Sequence, residues 1–185
     1  DTRPGAAPVT GAVTVAKAQP DGYTLLVSGS STYSVNAALR ARLPYDPLKD
    51  LAPVAIIAKA PLALVVNAGS PWHSVAALAA AARAKPRDIR YATFGSGSGP
   101  HLARELFAMG AGVKLQDVPY KGSSQSAIAL IGGEIEMGID TVAAVAPHVR
   151  SGKLRALAIV GTTRSSMLPD VPTMAELKMP EATFD

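Results

Sequence analysis

One transition recurs along this chain and limits what it can fold into. An apolar, strand-like run ends in hydroxyl or acidic residues, mostly beside glycine, and a helical pattern follows. It occurs at residues 28–32, 93–98, 120–123 and 140–141. Strand and helix patterns alternate over the whole length, which predicts an α/β architecture. In open parallel sheets such strand ends share one edge and face the ligand crevice. Helix starts carry unpaired N–H groups and partial positive charge, which suit a carboxylate or phosphate. Polar residues also cap helices with no ligand in view. One such turn is uninformative; four of them favour an orientation site for a small polar molecule.

The fullest example is Tyr91-Ala92-Thr93-Phe94-Gly95-Ser96-Gly97-Ser98-Gly99-Pro100-His101-Leu102. A β-prone run enters a Gly/Ser loop, and Pro100 opens a helix with Leu102, Leu106 and Phe107 on its apolar side. A dinucleotide fingerprint would need glycine where Pro100 stands. A P-loop would need Gly-Lys-Ser/Thr, a tripeptide the chain lacks, and a nucleophile elbow would need serine where Gly97 stands. What remains is an anion-binding turn, or a connector whose serines cap the helix.

Composition narrows the partners. Hydrophobic residues make up 48% and charged residues 17%, so the chain can bury a core. The net charge of +4 is scattered, which argues against nucleic acid. Cysteine is absent, removing disulfides and thiolate metal sites, and His73, His101 and His148 lack metal-ligand spacing. No metal or cofactor is expected. No apolar run approaches the roughly 20 residues that cross a bilayer. The opening residues do not read as a signal peptide, and the chain reads as starting inside a longer protein.

Helices are expected at 11–18, 34–39, 74–84 and 100–110, and at 123–131 with Ser123 as its cap. A further helix after Thr141 should be interrupted by Pro147, and a short one is expected at 174–177. Strands are expected at 23–28, 51–58, 62–67, 89–93, 113–118, 135–139 and 154–160.

The ordered pieces Pro20-Asp21-Gly22-Tyr23-Thr24-Leu25-Leu26, Leu43-Pro44-Tyr45-Asp46-Pro47, Ser96-Gly97-Ser98-Gly99-Pro100-His101-Leu102, Val118-Pro119-Tyr120-Lys121-Gly122, Gly152-Lys153-Leu154-Arg155-Ala156-Leu157-Ala158 and Leu168-Pro169-Asp170-Val171-Pro172-Thr173 carry a resemblance over essentially the whole chain. Together they resemble the substrate-binding proteins of tripartite tricarboxylate transporters, the Bug family of periplasmic receptors. The resemblance implies a periplasmic-binding-protein type II-like fold, with two α/β lobes joined by hinge strands and closing on a small carboxylate. It places a partial first lobe at 1–61, the second lobe with its hinge strands at 62–160, and a return to the first lobe at 161–185. It implies a non-catalytic receptor that hands its solute to membrane transporter subunits, using backbone N–H groups, hydroxyls and waters. The residues carried over are Ser30 and Thr32, then Ser96, Gly97, Ser98 and His101, with Tyr120, Asp140 and Thr141.

The family's opening strand with its Pro-Gly-Gly loop, and its closing elements, have no counterpart here. The first lobe is therefore expected to be incomplete, with weak solute binding or self-association through uncovered apolar surface. Several residues keep two readings: His101 as crevice donor or packed against Tyr91, Asp140 as solute ligand or helix cap, Tyr120 as pocket wall or core. A sensor for a signalling partner, and a hydrolase using Ser96 or Ser98 with His101 or Asp140, are the competing functions.

Overall fold

The computed structural model describes residues 9–39, 42–95 and 97–184. It divides into two compact units, one made of Asp1–Ala58 with Gly95–Gly99 and the other of Lys59–Phe94 with Pro100–Asp185.

The larger unit is a five-stranded sheet between two helical layers. Its strands are β1 (Leu62–Asn67), β2 (Arg90–Thr93), β3 (Gln116–Pro119), β4 (Met137–Thr141) and β5 (Leu154–Val160), in the spatial order β3-β2-β4-β1-β5. β2 pairs in parallel with β3 and β4, whereas β1 runs antiparallel to both β4 and β5. Alternation along β1 divides the core: Leu62, Leu64 and Val66 point to one layer, and Ala63 and Val65 to the other. The first layer holds α3 (Val75–Ala84) and α4 (Gly99–Ala111), packed through Leu78, Ala82, Ala103 and Phe107. The second holds α5 (Ser123–Ile131) and α6 (Val142–Arg150), packed through Leu130, Val142 and Val145. A register shift between β1 and β5 sends the neighbours Leu157 and Ala158 to the same layer, as a β-bulge does. Residues 161–184 follow β5 and reach both layers: Leu168 joins the second, while Thr173 bridges Ile159 and Met174 enters the core of the first.

In the smaller unit α1 (Val9–Ala16) packs with Tyr45, Leu51 and Leu26. A π-helical turn, Ser31–Val35, leads into α2 (Asn36–Leu39), where the sequence predicts one regular helix.

Several expectations need correction. Residues 23–28 and 51–58 join no β-ladder among the described residues. Tyr23, Leu25 and Val27 are exposed, as are Val54, Ile56 and Ile57. Strand character is a property of a pair, and the apolar pattern of one run does not supply its partner. α6 continues through Pro147 to Arg150, because a proline costs one internal hydrogen bond that packing can outweigh. Gly122, not Ser123, is the N-cap of α5. Residues 174–178 form a turn instead of a helix. There Thr173 and Glu176 cap each other, the Thr173 N–H donating to Glu176 Oε2 at 2.8 Å and the Glu176 N–H to Thr173 Oγ1 at 3.0 Å.

Candidate functional site

The strand directions bring several loops of the larger unit to one edge. Because β2, β3 and β4 are parallel, Thr93, Pro119 and Thr141 end together, and the start of β1 joins them through Leu62 opposite Thr141. α5 and α6 begin immediately beyond β3 and β4, and α4 follows the loop after β2. α3 starts beyond the other end of β1, and there Ser74 Oγ accepts the Ala77 N–H at 3.1 Å. The two helix starts beyond β3 and β4 differ. Neither Gly122 at the start of α5 nor Thr141 at the start of α6 makes a side-chain capping bond. First-turn N–H groups of these helices are therefore left to other acceptors. The exception is Val142, whose N–H is taken by Pro61 O at 2.8 Å.

Asp140 stands at this edge with its side chain turned into the α5/α6 layer. It is 6% exposed. It lines a cavity of about 20 Å³ with Ser123, Ser126 and apolar neighbours that include Val65, Phe94 and Ile135, room for about one water. Burial pushes its carboxyl above the ordinary carboxylate range, opposed by hydrogen bonds from the Ser123 side chain and the Thr141 backbone. The Thr141 N–H donates to Asp140 Oδ1 at 2.7 Å. Ser123, read from the sequence only as a cap, thus belongs with Asp140. The available signal was its position one residue after a glycine at a strand-to-helix turn.

Tyr120 is half-buried and packs against the α5/α6 layer, its N–H donating to Thr93 O at 2.9 Å. Burial raises its phenol pKa, with Glu134 adding to the effect and Arg90 opposing it. His101 lies in the first turn of α4 with Nε2 3.6 Å from Glu105 Oε1. The Tyr91 hydroxyl donates to Pro100 O at 2.7 Å, and the Arg104 guanidinium lies 5.6 Å from its ring centre. Arg104, buried itself, pairs with Glu105 at 2.6 Å and with Asp117. His101, Tyr120, Asp140 and Thr141 therefore share the larger unit, of which only Asp140 is fully buried.

The remaining candidates belong to the smaller unit. Thr32 is fully buried, with its hydroxyl bonded to that of Ser28 and its carbonyl accepting the Tyr45 hydroxyl at 2.7 Å. Ser30 is exposed, and its carbonyl accepts the Ser34 hydroxyl at 3.0 Å. The Gly/Ser loop turns tightly: the Ser98 N–H and hydroxyl both donate to Gly95 O, at 3.3 and 2.9 Å. Gly95 and Gly97 adopt φ of 97° and 83°, a region in which glycine is the unstrained choice. Ser96 lies outside the described residues. Among the described residues no group of three His, Asp or Glu side chains is placed to hold a metal, and no helix is long and apolar enough to cross a membrane.

The chain is similar to known proteins over nearly its whole length. A family model described as tripartite tricarboxylate transporter family receptor matches residues 1–183. Protein BugT of Bordetella pertussis is 43% identical over 180 residues, covering 97% of this chain and 55% of the relative. A UPF0065 protein of Bordetella bronchiseptica is 39% identical, covering 95% of this chain and 52% of the relative. Among solved structures, R. palustris Rpa4515 with adipate superposes with a TM-score of 0.90 at 35% identity, covering 100% of this chain and 62% of that one. MatC from Rhodopseudomonas palustris with bound malate gives 0.86 at 30% identity, covering 97% and 61%. The chain thus spans about half the length of the curated relatives it matches.

Proposed function

Because the chain belongs to the tripartite tricarboxylate transporter receptor family, we propose that it serves a periplasmic receptor that captures a small carboxylate and delivers it to a membrane transporter. One observation carries this reading: α5 and α6 begin side by side at the end of a parallel sheet segment with no side-chain cap on either. Those open amides and the helix dipoles offer an anion hydrogen bonds without an opposing formal charge. Adipate and malate in the related structures are carboxylates of the class such a site suits.

On this reading Tyr120, Thr141 and His101 line the edge, and Ser30, Ser96, Gly97 and Ser98 supply further hydroxyls and amides, whereas Thr32, buried with its hydroxyl on Ser28, supports its turn from within. Residues 62–160 form the second lobe, with β1 and β5 as its hinge strands. The receptor binds without turning its solute over. A thermal-shift screen of mono-, di- and tricarboxylates on the complete protein tests the reading, with calorimetric titration of the best hits. Binding of at least one carboxylate supports it. The absence of any shift across the class rejects it.

A further inference from the structure

We infer that Arg104 is a positioning residue: docked on a cross-strand pair of the sheet, it fixes the first turn of α4 and the imidazole of His101 that this turn carries. The inference rests on the receptor reading, since its consequence for a solute falls at the edge where His101 stands.

Tyr91 on β2 and Asp117 on β3 are directly opposite each other in the parallel ladder, so their side chains leave the sheet on the same face. That face is the α3/α4 layer, in which Tyr91 is fully buried. Arg104 reaches over both. Its guanidinium lies 5.6 Å from the Tyr91 ring centre, and one terminal nitrogen donates to Asp117. The other donates to Glu105 Oε1 at 2.6 Å, and that same oxygen is 3.6 Å from His101 Nε2. Arg104 and Glu105 follow His101 by three and four residues, which puts them on its side of the helix. One more bond reaches the first turn: the Tyr91 hydroxyl donates to Pro100 O at 2.7 Å, on the residue before His101.

Arg104 is 8% exposed, on a helix otherwise buried through Ala103, Phe107, Ala108 and Ala111. A guanidinium there carries a desolvation cost that an apolar side chain would not. What it adds is direction. Apolar contact alone is non-directional, whereas a planar fork held by carboxylates on two elements has one geometry. The Asp117 bond therefore sets the rotation of α4 against β3, and the Tyr91 bond sets the place of its first turn against β2. Glu105, steered by Arg104, turns its negative charge toward Nε2 and so orients the imidazole. Both terminal nitrogens of Arg104 are engaged by Glu105 and Asp117, so Arg104 acts on a solute through His101 and the first turn, not by contact.

Side-chain NMR of the complete protein reads this frame with no solute present. Asp117→Ala changes β3 and leaves the residues of α4 as they are. It should shift the imidazole resonances of His101 and leave those of His73 and His148 in place. Arg104→Met, which keeps the packing and loses the fork, should shift them further. An unmoved His101 in Asp117→Ala overturns the inference, and this arm stands even if Arg104→Met fails to fold.

Calorimetric titration with adipate, malate or the best carboxylate from the thermal-shift screen reads the consequence. Arg104→Met should weaken binding by about tenfold and Asp117→Ala by about threefold, with the double variant no weaker than Arg104→Met alone. Arg104→Lys keeps a cation over Tyr91 without the fork and should fall between wild type and Arg104→Met. Urea unfolding of each variant separates positioning from plain stability. If Arg104→Met lowers the unfolding midpoint yet binds the carboxylate like wild type, the residue serves stability alone and positioning is wrong. If wild type binds no carboxylate at all, the receptor reading fails, while the NMR arm still decides whether Arg104 sets His101.

Discussion

Two carboxyls four residues apart, Glu136 just before β4 and Asp140 within it, should respond to pH in opposite directions. Glu136 accepts the Arg90 N–H at 2.7 Å and the Arg90 guanidinium at 3.0 and 2.6 Å. Burial would raise its pKa, but these bonds outweigh burial and hold it below its ordinary value of 4.5. A carboxyl lowered on folding contributes stability above its unfolded pKa and loses it as pH falls through the folded one. Asp140 is raised by burial above its ordinary value of 3.8. Its folded state binds the proton more tightly, so its contribution declines as pH rises from the unfolded toward the folded pKa. Urea midpoints followed from the acid range to neutrality should therefore show less acid loss in Glu136→Gln, and less decline with rising pH in Asp140→Asn. A parallel offset of either curve at every pH would contradict the assignment. Arg155 is a third residue whose role is local. Its guanidinium donates to the carbonyls of Ala68 at 2.6 Å, Ser70 at 3.1 Å and Trp72 at 3.3 Å, fastening the loop after β1. Arg155→Ala leaves three carbonyls to find other donors and should cost about 2 kcal/mol in urea unfolding. Arg155→Lys should recover only part of that, because an ammonium lacks the fork.

Elements that carry their own punctuation were legible in the sequence. The helix after Ser74 begins at Val75, and its N-cap bond is formed. The runs at 62–67 and 154–160 are β1 and β5, covered by helices on both faces. The runs at 23–28 and 51–58 look as apolar, yet among the described residues they join no sheet, because hydropathy reports a wish for burial and is silent about the neighbour that would supply it. The site was legible to a similar depth. Strand ends and glycine turns pointed to the edge at Thr93, Pro119 and Thr141, while the inward turn of Asp140 depends on which sheet face position 140 occupies, a matter of register with β1. Pro147 is the element-scale misreading with a thermodynamic consequence. Inside α6 it lacks the N–H that would bond to Ala143 O, and the helix closes after it through the Ser151 N–H on Pro147 O at 3.0 Å. Pro147→Ala restores the donor and should stabilise the protein by about 1 kcal/mol. A lower urea midpoint for this variant would mean that the ring's packing or a bend it imposes is worth more than the bond.

At the scale of the whole molecule, apolar surface is distributed unevenly between the two units. The larger one buries nearly every large side chain of its sheet: Leu64, Tyr91, Phe107, Ile139 and Ile159 are all below 2% exposed. The smaller one centres its core on Ala12, Tyr45 and Leu51 and leaves two extended apolar runs open, with Tyr23 93%, Val27 79%, Val54 83% and Ile56 86% exposed. Uncharged and rich in β-branched residues, these runs join no β-ladder among the described residues and set open backbone beside apolar side chains, the combination that invites edge pairing between chains. Residues 1–185 as a polypeptide should therefore self-associate as concentration rises, seen as growing species in sedimentation velocity. Val27→Lys and Ile56→Lys place one cation in each run without touching the sheet. Together they should shift the distribution toward monomer while leaving the unfolding midpoint of the larger unit within about 0.5 kcal/mol, as for exposed positions away from packing. Association that survives both lysines would place the sticky surface elsewhere. Exposed Met109 and Ile128, on α4 and α5, would then be the next positions to charge.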